Sequence, residues 1–188
     1  MRQVKSLALM ITLIVLLGSG CAGSTEDTAL LMRTKYLECT NFQAQISIRA
    51  DYGQSVYDFA VEYTGNSQTG TVTVIQPESI AGVTAAVTDS GCSLEFDGVE
   101  FTTGEIAGGI RPAGAPGMLL NQWAEGYITS SCRQKLSGTD TLCVTTKQSD
   151  SISQTTWFDS ETLTPLESEI YSGGQMIIKC VFTNVEIS

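Results

Sequence analysis

From residue 42 to the C-terminal end, apolar residues recur mostly at every second position, the period of half-buried strands. Phe42, Ala44, Ile46 and Ile48 alternate with Gln43, Gln45, Ser47 and Arg49. After Asp51-Tyr-Gly-Gln54, Tyr57, Phe59, Val61 and Tyr63 alternate with Asp58, Ala60 and Glu62. A turn centred on Tyr52-Gly53 predicts Ile48 opposite Tyr57, Ile46 opposite Phe59, Ala44 opposite Val61 and Phe42 opposite Tyr63. The next turn, Gly65-Asn-Ser-Gln68, predicts Val61 opposite Val72 and Phe59 opposite Val74. Apolar residues meet apolar residues throughout, so these strands share one buried face of a meander.

The alternation resumes at Val83, Ala85 and Val87 and, past a turn near Asp89-Ser-Gly91, at Cys92, Leu94 and Phe96. Asp97-Gly98 is a type I′ hairpin signal that opposes Phe96 to Val99 and Leu94 to Phe101. Further strands are predicted over 127–136, 142–148, 155–158, 166–171 and 176–187, with Ser172-Gly-Gly-Gln175 turning between the last two. The period becomes helical twice. Ser24 to Cys39 has Ser24 or Thr25 as a cap, Glu26 and Asp27 in the first turn, and Leu30, Leu31, Tyr36 and Leu37 as the expected inward stripe. Met118 to Gly126 follows Pro116 and places Leu119, Leu120 and Trp123 on one face. Residues 104–117 form a Gly/Pro/Ala-rich connection, long enough to suggest a functional or packing loop. With no repeat, low-complexity tract or interior linker, the pattern describes one domain of antiparallel strands with a few helices, mainly β in an α+β sense.

The first twenty residues follow another rule. Arg2 and Lys5 lead into the apolar run Leu7 to Leu17, of secretory length and short for a membrane span. The run ends at Gly18-Ser19-Gly20-Cys21, which resembles the lipobox of bacterial lipoproteins, with Gly18 where that motif usually has Leu. The resemblance implies cleavage after residue 20, acylation of Cys21, and a domain over 21–188 held by a short N-terminal tether. That domain would sit at the extracytoplasmic face of the cell membrane. The alternative is an ordinary secretory leader in which Cys21 is incidental. Acyl chains contribute about 0.8 kcal/mol per buried CH₂, so a diacylglyceryl group anchors a domain stably.

Charge and composition narrow the chemistry. The chain has 188 residues, 10 Lys and Arg, 20 Asp and Glu and no histidine, and loss of Arg2 and Lys5 with a leader takes the net charge from −10 to −12. Histidine-dependent triads, His-ligated zinc and imidazole acid/base chemistry are excluded. Scattered positive charges argue against nucleic-acid binding, and an acidic surface suits a basic partner better. The carboxylates Asp97 and Glu100, Asp159 and Glu161, and Glu167 and Glu169 read as turn residues or a solvated strand face, so no enzyme and no cofactor is expected.

If Cys21 carries lipid, Cys39, Cys92, Cys132, Cys143 and Cys180 remain. Cys132 and Cys143 flank Ser137-Gly-Thr-Asp140, and a hairpin centred there places them opposite each other, within disulfide reach. Five buried thiols acting as small hydrophobes is the competing reading. A zinc site is the weakest, since no C-x-x-C pair exists.

The stretch from Trp157 through Asp159, Pro165, Glu167, Glu169, Ser172-Gly-Gly-Gln175 and Phe182-Thr-Asn184 to Ile187 resembles the C-terminal hairpins of the LolA/LolB-like lipoprotein carrier superfamily. The order of an N-terminal helix, an early meander and a central helix agrees over most of 25–188. The resemblance implies a strongly curved, unclosed antiparallel half-barrel with helices over its concave face, where carriers of this kind hold acyl chains. Cavity candidates are then Phe42, Ile46, Ile48, Tyr57, Phe59, Val61, Tyr63, Val72 and Val74 beneath Leu119, Leu120 and Trp123; the competing reading has them fill an ordinary core. A second resemblance, to clostridial germination lipoproteins, implies a protein-binding partner of a spore-cortex hydrolase. The expected partners are thus a membrane and either a hydrophobic ligand or an envelope protein.

Overall fold

In the computed structural model the described backbone covers residues 24–88, 91–96, 99–102 and 110–188, and the described side chains are those of 24–88 and 110–188. The expected leader over 1–20, Cys21, the Cys92 thiol, the expected Asp97-Gly98 turn and part of the glycine-rich connection lie outside the described residues. Helix α1 (Thr25–Leu37) precedes β1 (Phe42–Asp51), β2 (Val56–Gly65), β3 (Thr69–Gln76), β4 (Thr84–Thr88), β5 (Gly91–Phe96) and β6 (Val99–Thr102). Helix α2 (Ala115–Glu125) then leads to β7 (Tyr127–Leu136), β8 (Thr139–Lys147), β9 (Ile152–Asp159), β10 (Pro165–Ser172) and β11 (Gln175–Ile187).

All eleven strands form one sheet in the order β6-β5-β4-β3-β2-β1-β11-β10-β9-β8-β7. The sheet is antiparallel, curved and unclosed, mostly β with two α-helices among the described residues. The chain starts at the centre of the sheet, walks out to one edge, crosses through α2 to the other edge and walks back. The first and last strands therefore pair at the middle, with Ile46 opposite Phe182 and Ile48 opposite Cys180.

The hairpins keep the expected faces but two of them are wider than expected. Ile48 opposes Phe59, Ile46 opposes Val61 and Ala44 opposes Tyr63, a shift of two residues from the tight turn that the pattern predicts. The cause is a four-residue loop. Asp51 Oδ1 accepts from Gly53 N at 2.8 Å, Tyr52 N donates to Ser55 O at 3.0 Å, and Gly53 takes φ +84. The same shift puts Tyr63 opposite Val72 and Val61 opposite Val74. There Asn66 Oδ1 accepts from Gln68 N and Thr69 N, so the turn begins one residue later. Because the shift is even, every apolar side chain stays on the same face. The β5–β6 register has Phe96 opposite Val99 and Leu94 opposite Phe101, as Asp97-Gly98 implies.

Helix α1 is capped as expected: Ser24 Oγ accepts from Asp27 N and Ser24 N donates to Asp27 Oδ2, both at 3.1 Å. Its inward face is a correction. Ala29, Met32 and Tyr36 are buried, whereas Leu30, Leu31 and Leu37 are exposed. Apolar residues lie on both sides of this helix, so spacing alone does not orient it. Tyr36 does, packing on Trp123 at 4.9 Å and Phe158 at 5.7 Å between ring centroids while its hydroxyl donates to Leu163 O at 2.9 Å. Helix α2 begins at Ala115, earlier than predicted, with Pro116 in its first turn, where a missing N–H costs nothing. Among the described residues no helix is long and apolar enough to cross a membrane.

Trp123 is 1% exposed and packs against rings from four other segments. Trp123→Ala is expected to destabilise the domain by about 3–5 kcal/mol, read as a lower urea midpoint. An unchanged midpoint would contradict this placement.

Candidate functional site

The registers define rows of side chains that run across the concave face. One row is Thr146, Gln154, Ile170, Ile178, Ala50 and Tyr57, each opposite the next on neighbouring strands. The row beside it is Val144, Thr156, Ser168, Cys180, Ile48 and Phe59. Alternation along each strand sends these residues to the helix-covered side and Ser47, Arg49, Asp58 and Lys179 to the other.

Beneath the helices this face is filled. Phe42, Ile46, Ile48, Val61, Tyr63, Val72, Leu119, Leu120 and Trp123 are all buried within one apolar cluster. Trp123 lies 5.3 Å from Phe158, 5.6 Å from Phe182 and 6.0 Å from Phe42 between centroids. Its Nε1 donates to Thr156 Oγ1 at 2.9 Å, which satisfies the indole, and Thr156 is in turn hydrogen-bonded to the buried Ser168 hydroxyl at 2.8 Å. Burial pushes the Tyr63 hydroxyl up to about 12, and that hydroxyl donates to Asn66 O. Gly70 is required beside it: a Cβ there would lie 2.2 Å from Tyr63 Oη. Nine of the twelve cavity candidates thus stand in a packed core, the competing reading for those positions.

The other three, Tyr57, Phe59 and Val74, lie where the filling ends. Tyr57 is 49% exposed, while Phe59 and Val74 are partly buried. Tyr57 and Phe59 stack at 6.3 Å, and Tyr52 adds a third ring 6.4 Å from Tyr57. Tyr52 is fixed by its hydroxyl, which donates to Ile110 O at 3.2 Å. The result is an aromatic ledge at one end of the first row. The opposite end is polar: Thr146 Oγ1 and both amide atoms of Gln154 are buried without a hydrogen-bond partner. Between them lie Ile170, Ile178 and Ala50, all apolar.

Tyr52, Tyr36, Phe158, Phe182, Thr146 and Gln154 do not emerge from the sequence pattern as site residues. Tyr52 sits in a turn and Tyr36 on α1, Thr146 and Gln154 face each other across a local hairpin, and Phe158 and Phe182 meet Trp123 through contacts remote along the chain. The strand predicted over 155–158 begins after Gln154, whereas the observed one starts at Ile152.

The outer face carries a shallow groove of about 430 Å³ lined in part by Arg49, Asp58, Gln76, Pro77 and Lys179. Arg49 and Asp58 pair at 3.3 Å in water, a contact worth little. Lys179 bridges Glu167 at 2.5 Å and Glu169 at 3.6 Å; its hydrogen bond to Glu167 holds the ammonium pKa up. Among the described residues no group of three or more Cys, Asp or Glu side chains converges as a metal site would.

No sequence-family model matches the chain, and no curated protein matches it by sequence. Its fold does have solved counterparts. A LolA superfamily protein of Nitrosomonas europaea aligns with a TM-score of 0.51 over 89% of this chain and 94% of that one, at 10% identity. A DUF1329 family protein of Desulfovibrio piger aligns with a TM-score of 0.50 over 88% and 92%, also at 10% identity. The half-barrel implied by the C-terminal hairpins is therefore the fold of this chain, which is LolA/LolB-like.

Cys132 and Cys143 oppose each other across β7 and β8, as the hairpin predicts, and both are free thiols. Burial, then the neighbouring Cys132, pushes Cys143 up to about 12, so it stays protonated at neutral pH, while Cys132 is exposed. Cys132 is therefore the sulfur of the pair that a reagent in water reaches first. Treatment of the full chain with diamide is expected to join the two sulfurs, both S–H bonds giving their hydrogens to the diamide. Peptide mapping would show the 132–143 crosslink; modification of Cys132 without that link would refute the pairing.

Proposed function

We propose that this chain is a non-enzymatic, lipid-anchored protein of the extracytoplasmic membrane face that binds the acyl part of a hydrophobic ligand on its concave surface. The observation that carries the reading is the half-exposed ledge of Tyr52, Tyr57 and Phe59 at the end of an otherwise filled apolar face. A ledge of stacked rings gives an acyl chain an apolar bed, and Tyr hydroxyls keep its rim wetted. The proposal needs no cofactor. Anchoring rests on Cys21, which follows a basic, apolar leader.

The dense packing beneath the helices favours a second reading. Among the described residues, a face filled by Trp123, Phe42 and Phe158 leaves an acyl chain the ledge end, and the acidic surface suits a basic partner. In that reading the chain is a scaffold or allosteric partner of a cell-wall or spore-cortex hydrolase. Crosslinking in the native host separates the two: recovery of such an enzyme supports the scaffold, and its absence counts against it.

Native mass spectrometry of the chain taken from membranes is expected to show bound lipid, with a fluorescent fatty acid displacing it. Tyr57→Asp should weaken that displacement at least about tenfold, because a carboxylate on the ledge opposes apolar contact. No lipid and no displacement would sink the ligand reading. Cys21→Ala is expected to release the chain from membranes or block its processing, as fractionation would reveal; unchanged retention would refute the anchor.

A further inference from the structure

Helix α1 turns its leucines outward. Leu30, Leu31 and Leu37 are 57%, 63% and 55% exposed, although Met32 and Tyr36 on the same helix are completely covered. Leu30, Thr34 and Leu37 follow one another at helical spacing and Leu31 flanks Thr34 on the other side, so the three side chains border one strip. Thr34 in the middle of that strip turns its hydroxyl back onto Leu30 O at 3.1 Å, which removes its need for water. Arg33 donates to Gly126 O, which ties this helix to the start of β7, whose first residue is Tyr127. Tyr127 is 73% exposed. Lys35 is held away, its ammonium donating to Thr162 O at 2.7 Å.

The position of this patch in the chain decides what covers it. Only Ala22 and Gly23 separate Cys21 from the cap residue Ser24. Three peptide steps span at most about 10 Å, and a helix of this length is about 20 Å long. An acyl chain on Cys21 therefore holds the first turn of α1 at the bilayer surface and leaves Leu30, Leu31, Leu37 and Tyr127 within its reach. We infer that α1 lies in the membrane interface, with these four side chains among lipid headgroups and upper acyl carbons. This rests on the acylation of Cys21 proposed above. Apolar side chains at that depth gain from burial, and Tyr suits the wet boundary. The neighbouring charges Glu26, Asp27 and Glu38 are acidic, so contact comes from apolar burial and does not require anionic lipid.

The test uses the full chain in membranes of its host. A photo-crosslinking benzoylphenylalanine replaces Leu30, Leu37 or Tyr127 in turn, and Met176, 37% exposed at the β10–β11 turn, as the control. The mass of the N-terminal peptide reports whether Cys21 is acylated. Phospholipid adducts from positions 30, 37 and 127 but not from 176 are expected. Absence of lipid adducts at 30 and 37 in chains whose Cys21 is acylated would overturn the interfacial helix and spare the anchor. Lipid adducts at those positions in chains with unmodified Cys21 would do the reverse. Adducts to a polypeptide in place of lipid would also overturn the inference. The triple variant Leu30→Ser, Leu31→Ser, Leu37→Ser removes no buried side chain. It is expected to keep the fold and to raise backbone hydrogen exchange of α1 in membranes to its rate in detergent; an unchanged rate would contradict the inference.

Discussion

Trp123 is where the separately threaded parts of this protein meet. Its ring touches Tyr36 from the N-terminal helix, Phe42 from the first strand, and Phe158 and Phe182 from the returning half of the sheet. A curved sheet with one apolar face has to be plugged, and an indole is the largest plug available. Its single polar atom would be costly here without a partner, and the Thr156 hydroxyl, itself hydrogen-bonded to Ser168, supplies one. The position of both helices follows from that contact: α2 carries the tryptophan, and α1 is held over it by Tyr36.

The same plug divides the concave face. Under the helices the packing is dense, and the strands that extend past them toward Tyr57 end in rings with nothing fully covering them. The outer face is of a different kind. On it Arg49–Asp58 and Lys147–Asp150 are solvated and contribute little to stability, while Lys179 with Glu167 and Glu169 is partly buried. On the concave face, apolar surface open to water therefore concentrates at the rim of the filled region.

How much of this could be read from residues alone depends on distance along the chain. Local hairpins were legible, down to Cys132 opposite Cys143 and Phe96 opposite Val99. The faces of β1, β2 and β3 were legible too, while their registers slipped by two because Asp51 and Asn66 build loops wider than a tight turn. Parity survives such an error because the strand period is two. The pairing of β1 with β11 was not legible, since no local signal links Ile46 to Phe182. Nor was the orientation of α1, whose leucines compete with Tyr36 for the inward side and lose because the aromatic cluster has a place for a ring. For the site, the sequence located the apolar face; the boundary between its packed and open parts depends on Tyr52 and on burial from distant segments.

The central seam between β1 and β11 has a consequence for how the molecule comes into being. Residues 42 to 51 wait for residues 175 to 187 before the middle of the sheet exists. A chain emerging N-terminus first can form the β1 to β6 meander, but Phe182 cannot join the ring cluster until nearly every residue is available. Contacts of such long sequence separation slow folding. A polypeptide leaving a ribosome or threading a membrane pore in that direction thus stays unfinished until its last strand appears, which keeps it pliable for as long as it is in transit.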